Sequence, residues 1–240
     1  MSIITTKAIV MNAIKYSDTS LIAKLYTESN GLKSYLIRGV LKAKKGTLKP
    51  AYFQPFTQLK ITATHNTKGK LNSIREAHIL YPNTTIYKSV TKQSIVLFLS
   101  EILGSCIREE EVNKPLYHYL ENAISKLDSN DKMANFHLLF LLNLTRFIGF
   151  YPELSNIHKK AFNLIEGVFT DITEGQDMVT GEQLSQFKKL LGIDFDNVES
   201  MLFRKSERQQ ILQIIIRYFE LHLDGFKKPK SLTILEAVFS

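Results

Sequence analysis

Six cations stand between positions 33 and 49 with no acid among them: Lys33, Arg38, Lys42, Lys44, Lys45 and Lys49. Lys68 and Lys70 follow further along. Side chains of this kind need no covalent chemistry to be useful. Each cation set against a phosphate releases a condensed counterion, so a dense run of them favours a polyanion. The bias is local. Residues 1–78 hold 13 Lys/Arg against 3 Asp/Glu, a formal +10, whereas residues 79–240 hold 18 against 20, a formal −2. Solubility alone does not call for that split. The segment 39–50, GVLKAKKGTLKP, is too polar to pack. Its lysines can follow a flexible phosphate backbone as separate point charges. Tyr16, Tyr26, Tyr35, Tyr52 and Phe53 could offer stacking faces beside them, although filling a core is the ordinary use of such rings.

Other chemistry is hard to find. There is no GxxxxGK[ST] phosphate loop, no GxGxxG and no GxSxG elbow. Glu109, Glu110 and Glu111 are adjacent, so on a helix they point in different directions and read as a solvated end. The six histidines (His65, His78, His118, His137, His158 and His222) show no HxH or HExxH spacing. His137 sits in an apolar run and reads as a core histidine. Cys106 is the one cysteine, which excludes an intrachain disulfide and a cysteine-rich zinc site. Its apolar neighbours suggest a small buried hydrophobe. The reading is therefore of a binding protein, with no catalytic residues, no cofactor and no metal. No signal peptide is visible, and no apolar run approaches the roughly 20 residues of a membrane span, so a cytoplasmic protein without membrane association is expected.

Two kinds of periodicity must position these residues. Period-2 alternation over 7–14, 20–27, 32–38, 56–64 and 71–79 predicts five strands, separated by turns at 29–31, 39–50 and 65–69. Five short strands in about 80 residues fit a small closed barrel of the OB type. After Tyr81-Pro82-Asn83 the spacing becomes helical. One helix is predicted from 86 onward, a second with Pro115 in its first turn, and a third through Phe136 to Ile148 that is apolar all round and so central. Gly149 and Pro152 end the third. Residues 151–180 lose clear periodicity apart from a short hairpin around Glu166-Gly167. Helices are predicted at about 181–191 and 206–223, and a short apolar segment at 232–239 closes the chain. The expected fold class is mixed: an amino-terminal five-stranded OB barrel over 1–80, then an all-helical domain over 81–240 with a small irregular insert at 151–180.

The order of these segments resembles the RecO family of bacterial recombination mediators. The resemblance rests on TKAIVMNAIKYSDTSLIAKLYTESNGLKSYLIRGV in the first domain, with the basic linker and Pro55-Phe56 after it. In the helical half it rests on FLSEILGSCIREEEVNKPLYHYLENAISKL, on Phe147-Ile148-Gly149-Phe150-Tyr151-Pro152 and on LHLDGFKKPKSLTILEAVF. Each motif is loose alone; their order and spacing together are specific. Many members of the family carry a four-cysteine zinc module after the Gly-aromatic-x-Pro stretch. Here that segment holds no cysteine, and His158 is its one conventional soft ligand, so zinc is not expected. Packing through Phe162, Leu164, Val168 and Phe169 would have to replace it.

The resemblance implies a DNA repair and recombination function. It implies binding of single- and double-stranded DNA and annealing of complementary strands. It implies contact with RecR, and loading of RecA onto strands coated by single-stranded-DNA-binding protein. It also implies a monomer in isolation, working in the bacterial cytoplasm and at the nucleoid during repair. The DNA surface is expected at Lys33, Arg38, Lys42, Lys44, Lys45, Lys49, Lys68 and Lys70. The acidic, Phe-ended tail of the single-stranded-DNA-binding protein needs cations and an apolar pocket. Arg108, Lys114 and Lys126, beside Leu103, Leu116 and Leu120, are the candidates. Read without the resemblance, the residues also fit a non-catalytic RNA-binding or ribosome-associated OB protein, or a small enzyme of unrecognised type.

Overall fold

The structure is a computed structural model that describes residues 2–42, 48–66, 71–107, 111–131, 133–195 and 203–239. It divides into two compact units, Met1–Asp128 and Ser129–Ser240. The first holds five strands: β1 (Ser2–Lys15), β2 (Leu21–Thr27), β3 (Gly31–Ile37), β4 (Gln58–His65) and β5 (Ser73–Tyr81). They form one antiparallel sheet in the order β3-β2-β1-β4-β5. Alternation decides which residues meet. Ala8, Val10, Ala23, Leu25, Tyr35, Ile37, Leu59, Ile61 and Ala63 share the inner face and form its core, with Phe53 plugged in from the 3-10 turn Pro50–Phe53.

The two edge strands approach each other without forming a ladder. Their contact is a single parallel bridge between Tyr35 and Asn72. In it the Leu36 N–H donates to the Asn72 carbonyl at 2.9 Å, and the Asn72 N–H to the Ser34 carbonyl at 3.1 Å. The sheet is therefore OB-like but does not close into the barrel expected from strand number alone.

Two helices complete this unit: α1 (Val90–Cys106) and α2 (Lys114–Ser129). Ser89 caps α1 by accepting from the Lys92 N–H, and the Asn113 side chain accepts from the Leu116 N–H at the start of α2. α2 covers the outer face of β1 and β2. Tyr117 stacks on Tyr26 with ring centroids 6.4 Å apart, and Lys7 pairs with Glu121 at 3.3 Å. Cys106 is half-buried at the end of α1, not fully buried as its neighbours suggested.

In the second unit α3 (Phe136–Ile148) is buried from Phe136 through Thr145, as a helix apolar on all sides must be. Gly149 ends it in the left-handed conformation, φ 92°, and its N–H bonds the Thr145 carbonyl. The 151–180 segment is not irregular. It forms a three-stranded antiparallel sheet ordered β7-β6-β8, from β6 (Ala161–Asn163), β7 (Val168–Thr170) and β8 (Met178–Thr180). The hairpin was legible; β8 was not. The remaining helices are α4 (Gly181–Leu190), α5 (Lys205–His222) and α6 (Leu232–Val238).

The insert is pinned to α5. Phe162, Leu164 and Phe169 are buried and Val168 is half-buried. The Arg217 guanidinium grips both oxygens of Asp177 at 2.7 and 2.9 Å. The Tyr218 hydroxyl donates to the Phe150 carbonyl at 2.8 Å, and His222 Nε2 lies 2.8 Å from the Leu164 carbonyl. The His222 ring stacks flat on Phe150, with an interplanar angle of 4°.

Candidate nucleic-acid interface

The turn joining β1 to β2 and the chain leaving β3 are tied together by backbone. After Gly39, at φ 71°, the Leu41 N–H donates to the Thr19 carbonyl at 3.0 Å. The Gly39 N–H reaches the Ser20 hydroxyl at 3.4 Å. These bonds bring Arg38 and Lys42, both exposed, to the same end of the sheet as Lys15 and Tyr16. Lys15 pairs with Asp18 at 3.3 Å across the turn; the pair is exposed, so water screens it heavily. Tyr16 keeps 61% of its surface exposed, and Leu41 is exposed beside it. Lys49 is exposed at the head of the Pro50–Phe53 turn. Exposed cations and an exposed aromatic side chain thus stand on two adjoining turns, a combination suited to holding a single strand without reading its sequence.

The other candidates fall differently. Lys33 is half-buried on β3 opposite Leu25. Lys44, Lys45, Lys68 and Lys70 lie outside the described residues. Among the proposed stacking rings, Tyr26, Tyr35 and Phe53 are 1%, 0% and 3% exposed, so they are interior and present no face to a base. The Tyr35 hydroxyl bonds His65 Nε2 at 2.8 Å, and burial raises its pKa. Burial likewise pushes Tyr26 up to about 12, and its hydroxyl donates to the Asn113 carbonyl at 3.2 Å. Tyr52 is half-buried against the core. Lys24 was missed. It is exposed on the outer face of β2, between Asn12 of β1 and Ser34 of β3, where OB-like sheets commonly take up oligonucleotides. Its alternation with Ala23 and Leu25 in the sequence was the available signal.

The residues nominated for the acidic tail are not brought together. Leu103, Leu116 and Leu120 are 1%, 3% and 1% exposed; they are core residues and line no open pocket. Lys114 is exposed and Lys126 half-buried on the same helix. Their separation of twelve positions puts them about 18 Å apart along α2 at 1.5 Å per residue. Arg108 lies outside the described residues.

An apolar cleft with cations beside it does exist in the second unit. It is shallow and is lined by Leu212, Leu235 and Phe239, with Lys205, Arg208, Gln209 and Glu236 at its polar side. His137 forms its floor, 97% buried, with its ring 5.4 Å from that of Phe239. Burial, and then the charge of Arg208, lower the His137 pKa to about 3, so this histidine stays neutral. Among the described residues no group of three or more His, Cys, Asp or Glu could hold a metal ion, and no helix is long and apolar enough to cross a membrane.

Comparison with known proteins matches the chain to two family models. Residues 1–83 match "Recombination protein O N terminal" and residues 88–232 match "Recombination protein O C terminal". The boundary between them falls where strand periodicity gives way to helical spacing. The chain is similar to "DNA repair protein RecO" of Flavobacterium psychrophilum, 46% identical over 237 residues and 99% of both chains. It is 44% identical to the protein of that name from Christiangramia forsetii, also over 99% of both chains. For that of Bacteroides fragilis the identity is 35% over 98% of both.

Proposed function

The chain belongs to the RecO family of DNA repair and recombination proteins, and from that premise we propose that it is a non-catalytic mediator of strand exchange. It binds single- and double-stranded DNA and anneals complementary strands. With RecR it helps load RecA onto strands coated by single-stranded-DNA-binding protein. The observation that carries the reading is that backbone bonds join the segment of Arg38 and Lys42 to the turn that carries Lys15 and the exposed Tyr16. Annealing asks a protein to screen two phosphate backbones and leave the bases free. Mobile lysines beside one open aromatic face suit that task, and a covalent active site does not enter into it.

The acidic tail of the single-stranded-DNA-binding protein is the proposed partner of the second unit. The cleft of Leu212, Leu235 and Phe239 meets its needs better than α1 and α2 do. It offers apolar walls for a terminal Phe, with Lys205 and Arg208 for its carboxylates.

The deciding experiment is annealing of complementary strands coated with the organism's own single-stranded-DNA-binding protein, with and without RecR. Annealing above the uncatalysed rate supports the reading. Failure to bind or anneal DNA, with tight binding to structured RNA instead, would replace it with the RNA-binding alternative. A tail peptide that binds the parent equally well after Lys205→Gln and Arg208→Gln would displace the tail from this cleft.

A further inference from the structure

The near-neutral charge of residues 79–240 conceals a local concentration. In the second unit the chain makes two tight turns before β6. The Ile157 N–H bonds the Leu154 carbonyl, and the Lys159 N–H bonds the Asn156 carbonyl. These turns present His158, Lys159 and Lys160 in succession, with His158 and Lys160 exposed and Lys159 half-buried. The last turn of α4 adds Lys188 and Lys189. The two segments are joined, because the Lys188 ammonium donates to the Lys159 carbonyl at 2.8 Å while lying 5.3 Å from the centre of the Phe169 ring.

A helix C-terminus attracts cations, which accounts for Lys188 and Lys189. It does not account for a separate loop, carrying two further lysines and a histidine, whose Lys159 carbonyl meets Lys188 at the end of that helix. The ion pairs in this unit engage Arg217 and Lys228 with Asp177 and Glu220, and none of the five basic residues has a carboxylate partner among the described residues. Cations left together without counter-charge repel one another unless a polyanion covers them.

We propose that this cluster is a second phosphate-binding surface, separate from the one in the first unit, and that it holds the backbone of a nucleic-acid strand. The proposal rests on the reading of the first unit as a DNA-binding unit, and it assigns the second strand of an annealing pair to the second unit. A phosphate backbone is favoured over an acidic peptide for two reasons. The cations are lysines on a loop and a helix end, suited to a flexible row of charges. The apolar cleft that a peptide side chain would need lies elsewhere, between α5 and α6.

The test uses the full chain with Lys159→Gln, Lys160→Gln and Lys189→Gln together. Lys188 is kept because it ties the loop to α4, and an unchanged melting temperature verifies folding. The log–log salt slope for single-strand binding should become shallower by about 2, at about 0.7 per lost contact. Annealing of complementary strands should slow at least tenfold. A triple variant with the parent's slope and annealing rate overturns the proposal. So does one that retains both but loses binding to a ten-residue poly-aspartate peptide, which would make the patch a protein-docking site. A companion variant, Arg38→Gln with Lys42→Gln, reports on the first unit. If that variant matches the parent while the triple variant does not, it is the first-unit reading that fails.

Discussion

Asp128 closes the junction between the sheet and its two helices. Its carboxylate accepts from the backbone N–H groups of Thr84, Thr85 and Ile86 and from the Thr84 hydroxyl, at 2.8 to 2.9 Å. The Thr85 hydroxyl donates to its carbonyl, and so does the buried Lys92 ammonium. Burial alone would push the carboxyl up; the backbone donors outweigh it and hold it at about 2. A depressed carboxylate pKa means stabilisation that is complete above the ordinary value of 3.8 and is lost as pH falls through about 2. Asp128→Asn should therefore cost about 1–3 kcal/mol at neutral pH. It should also flatten the dependence of the denaturant midpoint on pH across that acid window. An unaltered acid limb would assign the effect to another group. At this scale the local pattern carries some placements and not others. The cations of the first unit were plain from composition. That Tyr35 faces inward followed from its alternation with Ile37. That Tyr26 is covered depended on α2 lying over it, and nothing in the local pattern announces that. Leu103, Leu116 and Leu120 were offered as a pocket although their helical spacing is what core packing also uses.

At the scale of elements, the loop after β3 and the turn before β2 act as one piece because backbone bonds join them. Replacing Lys42, Lys44 and Lys45 together with Ala should weaken binding to all sequences alike. With about four contacts in the first unit, that unit's share of the single-strand salt slope should be near −3, and it should move toward zero at about 0.7 per lost contact. Tyr16→Ala should cost about 1–3 kcal/mol of single-strand affinity with the slope unchanged, since stacking carries no counterions. A steep change of slope in Tyr16→Ala would mean that the turn itself had moved. The insert yields a stability prediction. Gly167 lies at φ 70°, and a Cβ there would stand 2.6 Å from the Tyr218 hydroxyl. Gly167→Ala should lower stability by about 1–3 kcal/mol, measured by chemical denaturation, because left-handed strain adds to a clash with the anchor. The five long strands and the helices α1 to α5 were legible because each spans enough residues for its period to repeat, whereas α6, at seven residues, read only as a short apolar segment. β8 is three residues long and shows no period at all.

At the scale of the whole molecule, the change from period 2 to helical spacing near residue 81 was visible, and the family models divide at nearly the same point. Which compact unit α1 and α2 would join was not visible. Periodicity reveals that a helix has an apolar face, but not which surface that face will cover. The division of charge between the halves was likewise legible, whereas the lysine cluster at 159–189 was not, since its members are distant in sequence and average against the acids between them. The chain as a whole should need no metal. Elemental analysis of purified protein should find no stoichiometric zinc, and a strong chelator should leave the melting temperature unmoved. One zinc per chain, lost together with stability on chelation, would contradict the packing described for the insert.

That packing has a consequence for the conditions under which the protein can work. A four-thiolate metal module is a redox liability, since low-pKa, exposed sulfur is the first protein group that peroxide attacks. Here the same stretch is fastened by Arg217 on Asp177, by Tyr218 on the Phe150 carbonyl and by stacked Phe150 and His222, none of which is a thiol. Those contacts contain no thiol for peroxide to oxidise. In a family of DNA repair proteins, this anchoring of the insert should therefore withstand peroxide, the agent that also breaks DNA.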